Sequence, residues 1–197
     1  PNGDKVTIRH LLTQTSGLFE YLADDEVVRL RQQYDQRYRK WPQAEIVAVI
    51  ARHPVNFEPG AQCEYTNTNY YLLGMVVEKV TGDTLEKQIQ SLILDRLKLT
   101  STSFPTGPTM TGSFLRGYGD MSNSGTLQDW TEVDPSWTWG AGAMVSNAQD
   151  LKTYVEAMVE GGLLGTDLPQ QRLETSWTAF GDPADHKSYG LGLMKSG

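Results

Sequence analysis

Residues 64–82 read Glu64-Tyr-Thr-Asn-Thr-Asn-Tyr-Tyr-Leu-Leu-Gly-Met-Val-Val-Glu-Lys-Val-Thr-Gly82, in which a polar run leads directly into an apolar one. The apolar residues recur at helical spacing, and the closing glycine is the residue type that most often ends a helix. We therefore predict a buried helix that begins at Asn67 or Thr68 and continues through Val80. The polar run would lie at the entrance of this helix, where its side chains could face a cleft.

Helical periodicity also appears on both sides of this segment. Further helices are predicted at residues 8–12, 24–41, 46–50, 83–97, 146–159 and 168–176. Pro42 would end the second of these, and capping boxes at Asp83 and Ser146 would start two others. Residues 189–194 are typical of a strand, and residues 100–140 of long loops. The chain is thus predicted to be mainly helical, with one terminal strand.

Composition excludes several classes of function. The 197 residues include 17 basic and 24 acidic ones, and the net charge of −7 disfavours a nucleic-acid binder, which needs a basic face. No apolar run approaches the roughly 20 residues of a membrane span. The single cysteine, Cys63, allows neither an intrachain disulfide nor a cysteine-based zinc site, and the three histidines are widely scattered. We expect neither a metal nor a cofactor.

The polar run contains two candidate catalytic side chains, Tyr65 and Asn67. Two positions apart at a helix entrance, they could both point into one cleft, where a tyrosine hydroxyl can relay a proton and an amide can donate and accept hydrogen bonds. The alternative is structural: Asn67 would cap the helix and Tyr65 would be a packing residue. The residue pattern leaves both interpretations open.

The remaining residues supply no complete hydrolase site. No serine is followed by a lysine three residues later, and no Gly-x-Ser-x-Gly elbow is present. Residues 136–144, Ser-Trp-Thr-Trp-Gly-Ala-Gly-Ala-Met, lack the Lys-Ser/Thr of a phosphate-binding loop and instead favour a close-packed turn beside an aromatic cleft wall. A buried thiol is the simplest interpretation of Cys63.

Six blocks, taken in their order along the chain, resemble one known family. They are residues 6–18 (Val-Thr-Ile-Arg-His-Leu-Leu-Thr-Gln-Thr-Ser-Gly-Leu), 57–60 (Phe-Glu-Pro-Gly), 65–74, 77–82, 140–146 (Gly-Ala-Gly-Ala-Met-Val-Ser) and 189–193 (Tyr-Gly-Leu-Gly-Leu). Together they are similar to the serine β-lactamase-related proteins. That group includes class C β-lactamases, D-alanyl-D-alanine carboxypeptidases and related esterases.

The resemblance implies acyl transfer by a serine nucleophile through an acyl-enzyme. The family's first motif, Ser-x-x-Lys, would precede Pro1, and its third motif would lie beyond Gly197. Only the second, Tyr-x-Asn, is present, as Tyr65 and Asn67. We therefore expect residues 1–197 to form an incomplete domain, the helical subdomain of an α+β fold without most of its antiparallel sheet.

The resemblance also assigns roles to four residues. Tyr65 would relay protons to the serine and the leaving group, Asn67 would orient the substrate carbonyl, and Trp137 would form the aromatic wall of the cleft. Carboxypeptidase-type members can carry a basic residue after Gly-Leu-Gly-Leu to dock the substrate carboxylate. Met194 occupies that place here and Lys195 follows it, which makes Lys195 a candidate substrate-binding residue and weakens the carboxypeptidase assignment.

The expected function is therefore that of a piece of a penicillin-recognising serine hydrolase, inactive by itself. The whole protein would act on a peptidoglycan-type D-alanyl peptide or on a β-lactam or ester, in a secreted or cell-envelope location. Three alternatives remain open at this stage: an esterase of the same family, a binding or regulatory module that kept the fold and lost the chemistry, and a free-standing structural helical domain. An intact or a substituted Ser-x-x-Lys would distinguish the enzyme from the module.

Overall fold

The computed structural model describes residues 2–165, 167–174, 178–179 and 187–196. Its helices are α1 (Ile8–Leu12), α2 (Asp25–Arg31), α3 (Gln43–Arg52), α4 (Asn67–Thr81), α5 (Leu85–Ile89), α6 (Asp95–Leu97), α7 (Ala148–Val159) and α8 (Leu168–Glu174), with a π-helical segment Gln90–Leu94 between α5 and α6. Four 3-10 turns lie at Tyr21–Ala23, Tyr34–Gln36, Pro135–Trp137 and Trp139–Ala141. The described part is therefore mainly helical, as predicted.

The strands are short and form two small antiparallel sheets. Strands β1 (Tyr118–Gly119) and β2 (Gln128–Asp129) pair within the long loop region, and β3 (Thr178–Ala179), β4 (Lys187–Tyr189) and β5 (Met194–Ser196) form the second sheet in that order. The prediction of one terminal strand at 189–194 was wrong. Gly192, at φ +68°, allows a turn in which Gly190 N–H donates to Leu193 O, so the segment forms a hairpin instead.

Helix α4 begins and ends where the sequence predicted. Its N-cap is Thr66, whose side chain accepts from the Thr68 N–H, and Gly82 ends it in the left-handed conformation at φ +71°. Two other predicted caps were displaced by one residue: Thr84 rather than Asp83 caps α5, and Asn147 rather than Ser146 caps α7. In both cases two polar residues adjoin, and backbone direction decides which of them reaches the free N–H groups.

The predicted helix at 24–41 is shorter than expected. It ends at Arg31, and Gln33 is extended before the 3-10 turn at Tyr34–Gln36. Val27 and Trp41 are nevertheless buried in the same core. The apolar spacing therefore reflected separate segments that reach one core rather than one continuous helix.

The main core lies between α2, α3 and α4. It consists of the buried side chains Tyr21, Val27, Trp41, Ile46, Val49, Ile50 and Tyr71. A smaller cluster of Leu85, Phe104 and Ala143 continues it, with Trp139 packed against both clusters. The core therefore holds α4 from both sides and fixes the position of its N-terminal end.

Candidate functional site

A buried polar network anchors the N-terminal end of α4 to the turn after α1. The Gln14 Oε1 atom accepts from Thr66 N–H at 3.0 Å and from Asn69 Nδ2 at 2.5 Å, and Ser16 Oγ donates to Asn69 Oδ1 at 2.5 Å. Gln14, Ser16 and Asn69 are each 0% exposed, and Gln14 adopts the left-handed region at φ 59°. Because this network is closed to solvent, its geometry is set by the fold rather than by water.

Tyr65 lies at the edge of this junction with its side chain half exposed. Its ring lies 6.1 Å, centroid to centroid, from that of Tyr189 on β4, and the Tyr189 hydroxyl donates to the Tyr70 hydroxyl at 3.3 Å. Partial burial raises the pKa of Tyr65, and Tyr189 and Glu20 raise it further. The hydroxyl therefore keeps its proton at neutral pH and can serve as a proton donor.

Asn67 is the first residue of α4, and a carboxylate holds it. Glu20 Oε2 accepts from Asn67 N–H at 2.6 Å and from Asn67 Nδ2 at 2.9 Å, and Glu20 Oε1 accepts from Leu22 N–H at 2.9 Å. These bonds fix the orientation of the Asn67 amide, since only the NH₂ end can donate to a carboxylate. The second Nδ2 hydrogen and Oδ1 remain available to a ligand.

Trp137 is connected to the same junction through Tyr21. The Tyr21 hydroxyl donates to Trp137 O at 2.6 Å, and Tyr21 N–H donates to Thr68 Oγ1 at 3.2 Å, one residue after Asn67. The Trp137 ring carries the guanidinium of Arg31 at 3.9 Å from its centroid. The Trp137 backbone is thus tied to the entrance of α4, while its ring packs against Arg31.

Lys195 lies on β5 with its side chain exposed. The strand register pairs Lys195 with Ser188 and Met194 with Tyr189. Because successive side chains alternate between the two faces of a strand, Lys195 lies on the face opposite to Tyr189. The turn between β4 and β5 contacts the end of α1, where Gly192 N–H donates to Leu12 O at 3.2 Å.

Cys63 shows no features of a nucleophile. Burial raises the pKa of its thiol to about 11, and its Sγ lies 3.7 Å from Thr13 O, to which it donates. A protonated thiol is a poor nucleophile and a poor metal ligand. No group of three metal-binding side chains occurs in the described part of the chain.

Two residues of the junction had not been singled out from the sequence, Glu20 and Gln14. Both lie in the segment between α1 and α2, and both bond to the start of α4 across more than forty residues of sequence. Glu20 stands in the block Ser-Gly-Leu-Phe-Glu-Tyr, and a carboxylate between two aromatic residues was the available signal. Gln14 gave none, since a glutamine in a turn is ordinary.

The Beta-lactamase family model matches residues 1–197. A curated relative, Protein flp of Staphylococcus aureus (strain MRSA252), is 24% identical over 91% of this chain and 34% of its own length. Another, from Escherichia coli O157:H7, whose name describes a candidate D-alanyl-D-alanine carboxypeptidase, is 25% identical over 78% of this chain and 39% of its own length. The chain therefore spans little more than a third of the length of these curated relatives.

Solved structures give a further likeness. A D-stereospecific amidohydrolase from Streptomyces sp. is 34% identical with a TM-score of 0.90, over 98% of this chain and 57% of that one. The D-amino acid amidase from Ochrobactrum anthropi SV3, in complex with D-phenylalanine, is 26% identical with a TM-score of 0.79, over 98% of this chain and 56% of that one.

Among the described residues, no helix has the length and apolar character needed to cross a bilayer.

Proposed function

Because the chain belongs to the Beta-lactamase family of serine hydrolases, we propose that the protein carrying it catalyses acyl transfer from amides whose acyl group is a D-amino acid residue. D-alanyl peptides, D-amino acid amides and the β-lactams that resemble them share this chemistry. The observation that carries the proposal is the start of α4, where the half-exposed Tyr65 directly precedes the N-cap Thr66 and Glu20 fixes the amide of Asn67. The names of the two structural relatives support the D-configuration.

The chemistry assigns one role to each side chain. A serine hydroxyl attacks the amide carbonyl carbon, and its proton passes through the Tyr65 hydroxyl to the leaving amine as the C–N bond breaks. Asn67 donates its second Nδ2 hydrogen to the carbonyl oxygen and holds the substrate in line. Water then attacks the acyl-enzyme by the same route in reverse.

The nucleophile and its lysine are proposed to come from outside residues 1–197. No serine in this chain has a lysine three residues later. In addition, the pKa of Tyr65 is raised by burial, Tyr189 and Glu20, whereas a proton relay needs a cationic neighbour that lowers it. This chain would thus contribute the helical part of the domain and one wall of the cleft, and most of the antiparallel sheet would lie elsewhere in the protein.

The carboxylate of Glu20 favours a substrate with a free α-amino group. Glu20 has no ion-pair partner within 4.0 Å among the described residues, although it adjoins Asn67. A half-buried carboxylate beside the carbonyl-orienting amide would attract an ammonium group on the acyl side of the scissile bond. D-amino acid amides carry this group, and N-acylated D-alanyl peptides do not.

The proposal is tested by kinetics on the full-length protein that contains this chain. D-phenylalanine amide, N-acetyl-D-alanyl-D-alanine and a penicillin would be the substrates, with L-phenylalanine amide as the stereochemical control. We expect a preference for D over L. Glu20→Gln should weaken turnover of the free-amine substrate more than that of the N-acetylated one. Equal rates on the D and L amides would contradict the proposed substrate class.

We further propose a secreted or cell-envelope location, because D-alanyl peptides belong to the bacterial cell wall. Fractionation of the producing cells, followed by detection of the full-length protein, would test this. Recovery in the cytosolic fraction alone would contradict it.

A further inference from the structure

A small recess lies between the end of α2, the 3-10 turn at Tyr34–Gln36 and the loop that precedes Trp137. Its volume is about 150 Å³. The walls are mostly aromatic and aliphatic and include Leu30, Arg31, Trp41, Met121, Trp130 and Trp137. An apolar space of roughly this size accommodates one benzene ring.

Arg31 enters this recess without a protein acceptor. Its guanidinium stacks on the Trp137 ring at 3.9 Å, and its Nε is buried with no hydrogen-bond partner. In the described residues, no carboxylate lies within ion-pair distance of it. Burial lowers the pKa of Arg31, while Tyr21 and Glu20 act in the opposite direction. A half-buried guanidinium whose buried Nε–H lacks a partner is costly, and an anion would offset part of that cost.

Trp130 supplies a second donor in the same state. Its indole Nε1 is buried without a hydrogen-bond partner, and its ring is held edge-on by Tyr34 at 5.4 Å between centroids. Buried indole N–H groups normally find an acceptor. Arg31 and Trp130, 99 positions apart in sequence, therefore both line one recess, and each has a buried N–H without a partner.

Arg37, at the same recess, is an arginine whose guanidinium has acceptors within the protein. It also lines the recess, but its guanidinium donates to Tyr34 O at 2.8 Å and to the Tyr38 hydroxyl at 2.9 Å. It stacks on the rings of both tyrosines. Arg31 has the stacking without the acceptors.

We propose that this recess binds a carboxylate carried on a flat apolar group of about the size of a benzene ring. The terminal N–H groups of Arg31 donate to the carboxylate, and the tryptophan walls, Trp130 among them, enclose the ring. The carboxylate belongs either to a free acid or to the terminal residue of a peptide, since the recess admits one ring-sized group. The site rests on Arg31 and Trp130 and stands without the reaction proposed above, although it shares Trp137 with the cleft wall expected from the sequence.

The proposal would be tested by titrating the full-length protein with benzoate and with N-acetyl-phenylalanine. Tryptophan fluorescence would be the measure of binding. Benzamide, the neutral equivalent of benzoate, is the ligand control. Benzoate should bind, and Arg31→Gln should weaken it by about tenfold, the usual effect of losing one charge-assisted pair. Arg29→Gln, which removes the same charge from an exposed position of α2, should leave the affinity within about twofold.

The two ligand arms distinguish the source of the carboxylate. Binding of benzoate alone indicates a free acid, and binding of N-acetyl-phenylalanine as well indicates a peptide end; either result, with loss in Arg31→Gln, supports the site. The indole N–H resonance of Trp130, assigned through Trp130→Phe, should shift on addition of benzoate in the unsubstituted protein. The proposal is overturned if neither acid shifts this resonance, or if Arg31→Gln binds both acids as tightly as the parent. The resonance decides the matter even if Arg31→Gln does not fold.

Discussion

Tyr65 is 48% exposed although it adjoins the buried polar network of Gln14, Ser16 and Asn69. Thr66, the next residue, is 1% exposed and Asn69 is 0% exposed. The backbone at the start of α4 is thus immobilised by Gln14 and Ser16 while the tyrosine side chain remains accessible. A side chain that is positioned by its backbone and half exposed is suited to proton transfer with a bound molecule.

In the full-length protein, Tyr65→Phe should reduce kcat far more than it changes KM. The ring and its contact with Tyr189 remain, and only the relay hydroxyl is lost. General acid–base assistance of this kind is worth about 10²–10⁴ in rate. Steady-state kinetics with D-phenylalanine amide would measure the effect.

Asn67→Ala is the comparison for this prediction. It should affect both kcat and KM, because the amide would hold the carbonyl before and during attack. A Tyr65→Phe variant with near-normal turnover would return Tyr65 to the structural interpretation, that of a packing residue beside a helix cap.

Helix α2 and the end of α3 are joined by one buried carboxylate. Asp24 caps α2 by accepting from Glu26 N–H and Val27 N–H, and it also accepts from Arg52 Nε at 3.1 Å and bonds His53 Nε2 at 2.8 Å. Burial opposes the ionisation of Asp24, but the hydrogen bonds of Arg52 and His53, with that of Val27 N–H, hold its pKa well below its usual range. The connection between these helices is therefore ionic as well as apolar.

Asp24→Asn should lower the free energy of unfolding by about 1–3 kcal/mol at neutral pH, because the capping oxygen remains but the charged acceptor is lost. The folded pKa is the lower one, so the stabilisation is present above the unfolded pKa of about 3.9 and is lost as the pH falls towards the folded value. Urea unfolding at about pH 7 and about pH 3 should show the difference between the two proteins shrinking in acid.

Asp25→Asn is the matched control, since Asp25 is exposed one residue later in the same helix. It should cost only about 0.5 kcal/mol through the helix dipole. Equal effects of the two substitutions at neutral pH would show that the Asp24 connection contributes nothing specific.

The loop that contains Trp139 packs closely against helix α4 at Gly74. A Cβ added at Gly74 would lie 2.8 Å from Trp139 Cζ3 and 3.0 Å from Leu85 Cδ2. Alanine favours the helix interior by about 1 kcal/mol over glycine. The clash with two packed side chains should exceed that gain and leave Gly74→Ala less stable by about 1–2 kcal/mol.

Urea unfolding of Gly74→Ala measures this, with Gly107→Ala as the control because a Cβ there meets nothing within 4 Å. The control should change the free energy of unfolding by less than about 0.5 kcal/mol. A Gly74→Ala protein at least as stable as the parent would mean that the loop does not depend on this close approach.

At the scale of the whole molecule, the structural match with the Streptomyces amidohydrolase covers 98% of this chain but only 57% of that one. The Tyr-x-Asn pair is present, and no serine here is paired with a lysine three residues later. We therefore expect residues 1–197, on their own, neither to hydrolyse β-lactams nor to be acylated by them, because an unassisted serine hydroxyl is a weak nucleophile.

Incubation of this chain with a labelled penicillin, followed by intact-mass analysis, would measure acylation. The full-length protein serves as the positive control and should gain one adduct. A stoichiometric adduct on any serine of residues 1–197 would contradict the expectation.

The local pattern of the sequence was sufficient to predict those features that depend on a single helix. Apolar spacing and terminal signals located α1, α3, α4 and α7, because a helix and its ends depend on residues close together in the chain. The family blocks likewise led to Tyr65 and Asn67 without any knowledge of contacts, and the family match confirmed the resemblance. The exact caps at Thr84 and Asn147 lay within one residue of the predicted ones.

Only the tertiary structure decided which distant residues meet. Glu20 reaches Asn67 across 47 positions and Gln14 reaches Thr66 across 52, and no local pattern encodes such pairs. The helix predicted over 24–41 ended at Arg31 for the same reason. Trp41 reaches the core from a separate segment, not from a continuation of this helix. Arg31 meanwhile stacks on Trp137, 106 positions away in sequence. Periodicity records that a side chain will be buried, whereas its partner is fixed by how the elements pack.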